Sequence, residues 1–347
     1  MIKAPTVPQP LTALRNAVDA APRGHAVAQG EALRPAPPVR RAPRKRRTLV
    51  LSGGGSKGIW QVGACQHLIA ERGYWFDIIA SISAGAINGA ALAQAHNIEE
   101  LKADLERLRE VWFGLRGNHD VYERRRLARL RLLLGTRSSV YGIDPLRHML
   151  AKHISPKRVA ASPTQLRIGY VDLLSGRYRV AGNNHPALLE AVLASCALPL
   201  AFPPIPLRGG KELGVDGGVR AFFYLLDVLN LLAEQSPADG PDEVWILAPH
   251  VPRELSHVRA GHWLTVLRRC FSLLTDQSSI EDIAQARRII DLLRASPNGN
   301  GHRDATIRVL HPRADLQGSI LEFDPVRLRA WYEDGIQTAR EGKFLQL

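Results

Sequence analysis

The chain has 347 residues, of which 45% are hydrophobic and 23% are charged, and its net charge is +13; this balance is typical of a globular protein. No run approaches the roughly 18 to 20 apolar residues of a membrane-spanning helix, and the N-terminus lacks the apolar core of a secretory signal. We therefore expect a cytoplasmic protein, at most peripheral at a membrane. Three cysteines, Cys65, Cys196 and Cys270, are an odd number without zinc-ligand spacing, which indicates neither a disulfide framework nor a structural zinc site.

Residues 1–47 are rich in Pro, Ala and Arg and contain ten Lys/Arg residues against only Asp19 and Glu31. This segment lacks sustained apolar periodicity, so we predict a disordered basic tail. Such a tail can bind nucleic acid or anionic lipid or act as a targeting signal, but a simple solvated tail is favoured. Residues 48–347 are predicted to form one catalytic domain, with its motifs in 48–218 and further helices and strands in 219–347.

Predicted order begins at Thr48 with a buried strand over residues 48–52, followed by a glycine loop, Gly53–Gly58. Apolar periodicity predicts a helix over 59–71, and a second strand over 76–81 leads into a turn at Ser83. The alanine-rich stretch 84–95 is typical of a closely packed helix.

Later segments continue the alternation of strands and helices. Helical, Arg-rich sequence covers 98–134, a hairpin is predicted from 166–173 and 177–181, and a helix from 190–197. Further strands are expected at 212–215, 243–248 and 305–310, with helices around 222–234, 263–294 and after Pro325. This pattern predicts a three-layer α/β/α fold with a mostly parallel central sheet, in which sites collect at the carboxyl ends of strands.

Ser83 is the candidate nucleophile, because the turn Ser81-Ile82-Ser83-Ala84-Gly85 approximates the G-x-S-x-G turn between a strand and a helix. Ser81 replaces the first glycine and must fit a side chain into a crowded turn. The alternative is that Ser83 simply caps a helix. Asp216, which leads from a short strand into Gly217 and Gly218, is the candidate base, although Asp-Gly is also a common turn dipeptide.

Gly53, Gly54 and Gly55 are candidate oxyanion donors, since consecutive glycines let backbone N–H groups point to one place beside a helix N-terminus. The same loop also satisfies the dinucleotide pattern G-x-G-x-x-G, so an NAD(P)-dependent oxidoreductase is a competing hypothesis. That pattern expects an acidic residue at the end of the second strand, whereas Asp77 lies at its start.

The order of these motifs resembles the patatin-like phospholipase family. The family pattern G-G-G-x-[KR]-G is matched by Gly53–Gly58 with Lys57, and G-x-S-x-G-A-[IL]-N is matched from Ser83 through Gly85 to Asn88. D-G-G is matched at Asp216, and a fourth feature, A-S-x-A-x-P followed by F-P, is matched at Ala194–Pro199 and Phe202-Pro203. The resemblance covers about residues 48–218.

This resemblance implies a serine esterase or phospholipase that cleaves fatty-acyl esters of lipids through a Ser83–Asp216 dyad without histidine. It also implies an oxyanion hole at Gly53, Gly54 and Gly55, with no cofactor and no metal. Lys57, Gly58, Gly85, Gly217 and Gly218 would support the motifs. The family often continues after D-G-G with Asn and Pro, whereas this chain continues with 219–224, VRAFFY.

Two alternatives stay open at this point. Ser83, Asp216 and His250 follow the chain order of an α/β-hydrolase triad. A catalytically inactive member that binds lipid or protein would also explain Ser81 and the altered segment after Gly218.

The expected partner is a lipid or membrane surface rather than nucleic acid. Residues 122–134, YERRRLARLRLLL, are predicted to form an amphipathic helix with a leucine stripe and an arginine-rich face. This helix would contact anionic lipid or cover the active site, although a core-facing helix with a solvated basic face is slightly favoured. Lys57 would steer a phosphate headgroup or simply be solvated.

Overall fold

A computed structural model describes residues 46–124, 138–220, 228, 242–250, 305–342 and 345–346. Its strands are β1 (Arg46–Leu51), β2 (Ile78–Ile82), β3 (Glu123–Arg124), β4 (Tyr141–Gly142), β5 (Gln165–Asp172), β6 (Tyr178–Gly182), β7 (Ile205–Leu207), β8 (Glu212–Asp216), β9 (Asp242–Leu247), β10 (Ala305–Leu310) and β11 (Leu345–Gln346). Its α-helices are α1 (Gly58–Cys65), α2 (Ala84–Leu92), α3 (Ile98–Phe113), α4 (Asp144–His153), α5 (Pro156–Ala161), α6 (Leu188–Ser195) and α7 (Pro325–Glu341).

Among the described residues, nine strands form one sheet in the order β11-β10-β9-β1-β2-β5-β8-β7, with β6 also paired to β5. The consecutive strands β10, β9, β1, β2 and β5 run parallel, whereas β6, β7, β8 and β11 are antiparallel to their neighbours. The fold is therefore α/β with a mostly parallel central sheet flanked by helices, which confirms the predicted fold class.

The central strands are buried on both faces, as expected of a parallel sheet covered on each side. In β1, Leu49 and Leu51 belong to the larger core cluster together with residues of α1, α2, α3, α6 and α7. Val50 points to the opposite face, where it joins a second cluster that includes Val228. The helices predicted around 222–234 and 263–294 lie outside the described residues, apart from the helical position 228.

β1 begins at Arg46, two residues before Thr48, the predicted start of this strand. Arg47 is held in the sheet because its N–H donates to the Asp77 carboxylate at 3.1 Å and its guanidinium pairs with Glu243 at 2.9 Å. The assignment of Arg46 and Arg47 to a disordered tail is therefore wrong. The remaining part of the predicted tail, residues 1–45, lies outside the described residues.

The predicted helix over 98–134 is also corrected. Its first part is α3, which Asn97 caps by accepting a hydrogen bond from the N–H of Glu100 at 2.9 Å. The chain then turns, and Glu123 and Arg124 form β3, which pairs with β4. The predicted amphipathic helix 122–134 therefore does not begin at Tyr122, and its residues 125–134 lie outside the described part of the chain.

α1 continues as a π-helical segment, Gln66–Glu71, so the predicted helix 59–71 is confirmed as one continuous helical stretch. α7 crosses α1 closely because a β-carbon on Gly63 would lie 2.0 Å from the Tyr332 carbonyl oxygen and one on Gly335 would lie 2.1 Å from that of Trp60. Each helix thus uses a glycine to admit the backbone of the other, and this close packing fixes the position of α1, the helix that follows the glycine loop.

Within the ranges that the structure describes, every helix is too short or too polar to cross a bilayer.

Candidate active site

Ser83 and Asp216 are brought together by two strands that meet along one edge of β5. β6 pairs with residues 167–171 of β5, so β2, which pairs with 165–169, and β8, which pairs with 170–172, must both lie on the other edge. β2 runs parallel to β5 and β8 runs antiparallel, so their carboxyl ends approach each other. Ile82 is level with Gly169, and Asp216 is level with Tyr170.

The backbone of Ser83 adopts φ 56° and ψ −130° between β2 and α2. Positive φ is uncommon for a residue with a β-carbon, and such strain costs on the order of 1 to 3 kcal/mol unless the surroundings hold it. The sharp turn leaves Ser83 partly exposed while its neighbours on both sides are buried. This is the geometry expected of a nucleophile presented between a strand and a helix.

Three consecutive residues at the end of α6 hold the backbone around Ser83 and Asp216. The N–H of Ser83 donates to Ser195 Oγ at 2.8 Å, and Ser195 Oγ donates in turn to the Gly169 carbonyl at 2.7 Å. The thiol of Cys196 donates to the Ser83 carbonyl at 3.1 Å. The N–H of Asp216 donates to the Ala197 carbonyl at 3.0 Å. We call residues 195–197 the backbone clamp.

Burial, and then the nearby charge of Asp216, raises the pKa of the Cys196 thiol well above its ordinary value. Cys196 is therefore a protonated hydrogen-bond donor at neutral pH and not a competing nucleophile. Sequence reasoning missed the role of the backbone clamp, although its residues lie in the A-S-x-A-x-P pattern. The contacts join positions far apart in the chain, which no local spacing reveals.

Gly85 and Gly58 allow the two helices to approach the site closely. A β-carbon on Gly85 would lie 2.3 Å from the Leu51 carbonyl oxygen, so α2 can pack onto the end of β1 only with glycine there. A β-carbon on Gly58 would lie 2.9 Å from the β-carbon of Ala84. Both glycines therefore act as packing residues that set the position of Ser83.

Ser81 fits at the first position of the turn because Gly89 faces it. A β-carbon on Gly89 would lie 2.8 Å from Ser81 Oγ. The hydroxyl of Ser81 is fully buried and donates to the Arg167 carbonyl at 3.4 Å. The departure from the family pattern is thus accommodated by a glycine on the next helix.

Asp216 is buried at the end of β8 and accepts a hydrogen bond from the Gly218 N–H at 2.8 Å. Burial raises the pKa of Asp216 to about 6, although hydrogen bonds from the Ser83 side chain and the Gly218 N–H act in the opposite direction. The carboxylate therefore has the proton affinity of a weak base, and it lies near enough to Ser83 for that side chain to affect its pKa.

The turn after Asp216 needs glycine at its first position. A β-carbon on Gly217 would lie 2.7 Å from the Gly169 carbonyl oxygen and 3.1 Å from a methyl group of Ile82. This contact shows that the ends of β2 and β8 pack directly against each other. Gly218 contributes its N–H to the Asp216 carboxylate.

The three glycines of the loop have different neighbours. A β-carbon on Gly53 would lie 3.2 Å from Ser83 Cβ and 3.7 Å from Ser83 Oγ. One on Gly54 would lie 2.6 Å from Pro249, and one on Gly55, whose φ is 55°, would lie 2.1 Å from the Ile320 carbonyl oxygen. The structure therefore brings Gly53 to Ser83, whereas Gly54 and Gly55 are explained by close packing against other segments.

A buried polar network joins this loop to α2. Asn88 donates to the Gly58 carbonyl at 2.9 Å and to the Gln61 side chain at 3.0 Å, and it accepts from the Trp112 indole at 2.9 Å. Gln61 donates to the Ser52 carbonyl at 2.8 Å. The network fixes the two helices whose N-termini lie beside Ser83.

Lys57 points away from bulk solvent and pairs with Asp315, with 3.9 Å between Nζ and Oδ1. His250 lies three residues after the end of β9. Burial, and then the charges of Lys57 and His311, lowers the pKa of His250 to about 4. His250 is thus neutral at pH 7, and the charged groups that act on its pKa are Lys57 and His311. Its participation in a triad stays a hypothesis to test.

Among the residues that the structure describes, no three His, Cys, Asp or Glu side chains come close enough together to hold a metal ion.

Comparison with known proteins places part of this chain in a known family. The model described as patatin-like phospholipase matches residues 49–229. An uncharacterized protein of Bacillus subtilis (strain 168), YqhO, is 29% identical over an alignment of 194 residues, and the match covers 50% of this chain and 64% of YqhO. The match thus spans less than two thirds of that relative.

Solved structures that are similar to this chain include VipD and ExoU. VipD from Legionella pneumophila aligns with a TM-score of 0.40 and 13% identity over 88% of this chain and 68% of VipD. The type III effector protein ExoU aligns with a TM-score of 0.36 and 15% identity over 86% of this chain and 52% of ExoU.

Proposed function

Because the chain belongs to the patatin-like phospholipase family, we propose that it is a lipid acyl hydrolase with Ser83 as nucleophile and Asp216 as general base. The observation that carries this proposal is the meeting of Ser83, in its strained turn after β2, with the buried Asp216 carboxylate at the end of β8, whose pKa is raised to about 6. A carboxylate in water is too weak a base to help a serine hydroxyl, and burial brings its proton affinity toward the required range.

In the first half of the reaction, Asp216 takes the hydroxyl proton of Ser83 as Oγ forms a bond to the carbonyl carbon of a fatty-acyl ester. The carbonyl oxygen becomes an oxyanion. When the intermediate collapses, the ester C–O bond breaks and Asp216 returns its proton to the departing alcohol oxygen. The acyl group is then bound to Ser83.

In the second half, water enters in place of the alcohol. Asp216 takes a proton from this water as its oxygen attacks the acyl carbon. Collapse of the second intermediate breaks the bond to Ser83 Oγ, which recovers its proton from Asp216. The products are a fatty acid and the free enzyme.

The oxyanion is proposed to be stabilised by backbone N–H groups of the glycine loop. The contact of Gly53 with Ser83 supports Gly53 most directly. Gly54 and Gly55 are adjacent donors on the same loop, and the N-termini of α1 and α2 add favourable dipoles. Every proton transfer in this scheme is carried by Asp216.

The competing oxidoreductase hypothesis is less well supported. The requirement for glycine at positions 54 and 55 is explained by Pro249 and Ile320, so the loop needs no nucleotide to account for its composition. An inactive binding module would have no reason to keep Ser83 in a strained conformation beside a buried carboxylate.

A fluorophosphonate probe tests the proposal, since it reacts covalently with activated serine hydroxyls. We expect one labelled peptide containing Ser83, loss of labelling in Ser83→Ala, and a loss of at least about 10³-fold in ester turnover in Asp216→Asn. Saturable NAD or NADP binding without labelling would favour the oxidoreductase. Absence of both would favour the binding module.

A further inference from the structure

Two turns extend beyond the carboxyl end of β2, the end of the sheet at which Ser83 lies. β5 continues beyond Gly169, the residue level with Ile82, to Asp172 and then enters the turn 173–176. At about 3.3 Å per residue, Leu173 lies roughly 13 Å past that level. The turn between β7 and β8, residues 208–211, extends in the same direction because the N–H of Leu173 donates to the Leu213 carbonyl at 2.7 Å.

The first turn exposes two adjacent leucines. Leu173 is 54% and Leu174 is 61% exposed, and they are two of the few large apolar side chains that are exposed among the described residues. Single exposed apolar residues are common, but a neighbouring pair at the tip of a turn is a small apolar surface.

The fold does not require leucine at either position. Asp172 builds the turn by accepting hydrogen bonds from the N–H of Leu174 at 3.2 Å and from the Ser175 hydroxyl at 2.5 Å. Asp172 also accepts from the N–H of Leu213 at 3.1 Å, which ties the turn to β8. These bonds use backbone groups of the leucines, so polar side chains would satisfy the same turn.

Four basic residues lie on the two turns or next to them. Arg177, Arg208, Lys211 and Arg220 are exposed, and neither turn contains an acidic residue. Arg220 donates to the Gly176 carbonyl at 2.5 Å and so links the turn after Asp216 to the leucine turn. Of the carboxylates that the structure describes next to these turns, Asp172 and Glu212 are buried, and Glu212 already binds Tyr170, Arg179 and Arg208.

We propose that Leu173, Leu174, Arg177, Arg208, Lys211 and Arg220 form a docking tip that inserts into the interface of an anionic lipid bilayer and places the Ser83 site at the membrane surface. The leucines would enter the boundary between headgroups and acyl chains, and the four cations would contact lipid phosphates. The role of the docking tip in lipid hydrolysis rests on the proposed function. Binding of the tip to vesicles does not depend on catalysis.

Binding is therefore measured in the Ser83→Ala protein by co-sedimentation with phosphatidylcholine vesicles, with and without phosphatidylglycerol. Leu173→Ser with Leu174→Ser should weaken partitioning to both vesicle types by about tenfold or more. Arg177→Gln with Lys211→Gln should weaken binding to anionic vesicles by roughly fivefold per charge, and so reduce the preference for them, while binding to phosphatidylcholine alone changes little. Both pairs are exposed, and unchanged melting temperatures would verify their folding.

Matched controls come from surfaces away from the tip. Val326 is 76% exposed on α7, so Val326→Ser removes an exposed apolar side chain elsewhere. Lys152 and Lys157 are exposed on α4 and α5. These two helices come just before the amino end of β5, whereas the docking tip follows its carboxyl end. Lys152→Gln with Lys157→Gln removes two charges there. All three control positions should leave vesicle binding unchanged.

The docking tip is overturned if the parent protein does not bind anionic vesicles, if the tip variants bind like the parent, or if the controls lose as much binding as the tip variants. Failure of the hydrolase proposal is a separate result, seen as absence of fluorophosphonate labelling at Ser83 in the wild-type protein while vesicle binding persists.

Discussion

The hydroxyl of Ser81 occupies space that a β-carbon on Gly89 would need, at a separation of only 2.8 Å. The two residues lie on β2 and α2, on either side of the strained turn at Ser83. The serine is thus compatible with the turn because the helix that follows carries glycine at one particular position.

Gly89→Ala should destabilise the protein by about 1 to 3 kcal/mol, because the added methyl group overpacks Ser81 and approaches Ile79. Ser81→Gly should recover much of this loss. Urea unfolding of the two single variants and the double variant gives the coupling free energy. An equal cost of Gly89→Ala in the wild-type and Ser81→Gly backgrounds would show that the two positions are independent.

Ser195→Ala should lower kcat by about tenfold to a hundredfold with little change in KM for a soluble ester. The variant removes the acceptor for the Ser83 N–H and the donor to Gly169, so Ser83 is no longer held in its strained conformation. Ser162→Ala is the matched control, since it removes a 2.8 Å hydrogen bond to Ala95 away from the site. The clamp has no positioning role if both variants lose stability alike and keep the same kcat.

The rate of soluble-ester hydrolysis should depend on the ionisation of Asp216. Its pKa of about 6 means that the carboxylate is protonated and inactive as a base at pH 5 and ionised at pH 7. We expect kcat/KM to rise about tenfold per pH unit below 6 and to level off above it. A pH profile that is already flat at pH 5 would contradict this assignment.

The ionised carboxylate of Asp216 should lower the free energy of unfolding at neutral pH. Its pKa is higher in the folded chain than the ordinary value of 3.8, so the folded state binds a proton more tightly than the unfolded state. Its contribution is most favourable below pH 4 and is lost as the pH rises through 6, a change of roughly 3 kcal/mol at most.

Asp216→Asn should therefore be more stable than wild type at pH 8, and this advantage should shrink toward pH 4. Denaturant unfolding at pH 4, 6 and 8 measures the difference. Asp144→Asn, the same substitution at a side chain that is 54% exposed, is measured alongside as the control. An advantage that is constant with pH would exclude a raised pKa at Asp216.

His250→Gln separates the dyad from the alternative triad. Because burial keeps His250 neutral and the charges that act on it are Lys57 and His311, we expect ester turnover within several-fold of wild type. Asp216→Asn should abolish turnover in the same assay. A loss of about 10³-fold or more in His250→Gln would instead support a Ser83–Asp216–His250 triad.

Local patterns are enough to predict the strand, turn and helix around Ser83 and the turn at Asp216, because motif spacing and apolar periodicity are properties of neighbouring residues. They are also enough for the fold class. The antiparallel direction of β8 cannot be read from the sequence, since strand direction depends on which partner the strand meets. The backbone clamp cannot be predicted from the sequence either, because its hydrogen bonds join residues that are far apart in the chain.

The sequence predictions fail where tertiary contacts overrule local composition. Arg46 and Arg47 continue a basic, proline-rich run, yet Asp77 and Glu243 draw Arg47 into the sheet. Local periodicity puts Tyr122 on an amphipathic helix, whereas its ring packs against Tyr141, Phe202 and Phe323. In both cases the deciding partners lie far away in the chain.

The shared edge of β5 has a consequence for the timing of activity during folding. Ser83 is made early in synthesis and Asp216 much later, and they meet only when β2 and β8 have both paired with the same strand. A nascent or partly folded chain therefore has a nucleophile without its base. Reactivity is coupled to completion of long-range sheet pairing, so recovery of esterase activity after denaturation would report on topology rather than on the formation of any single element.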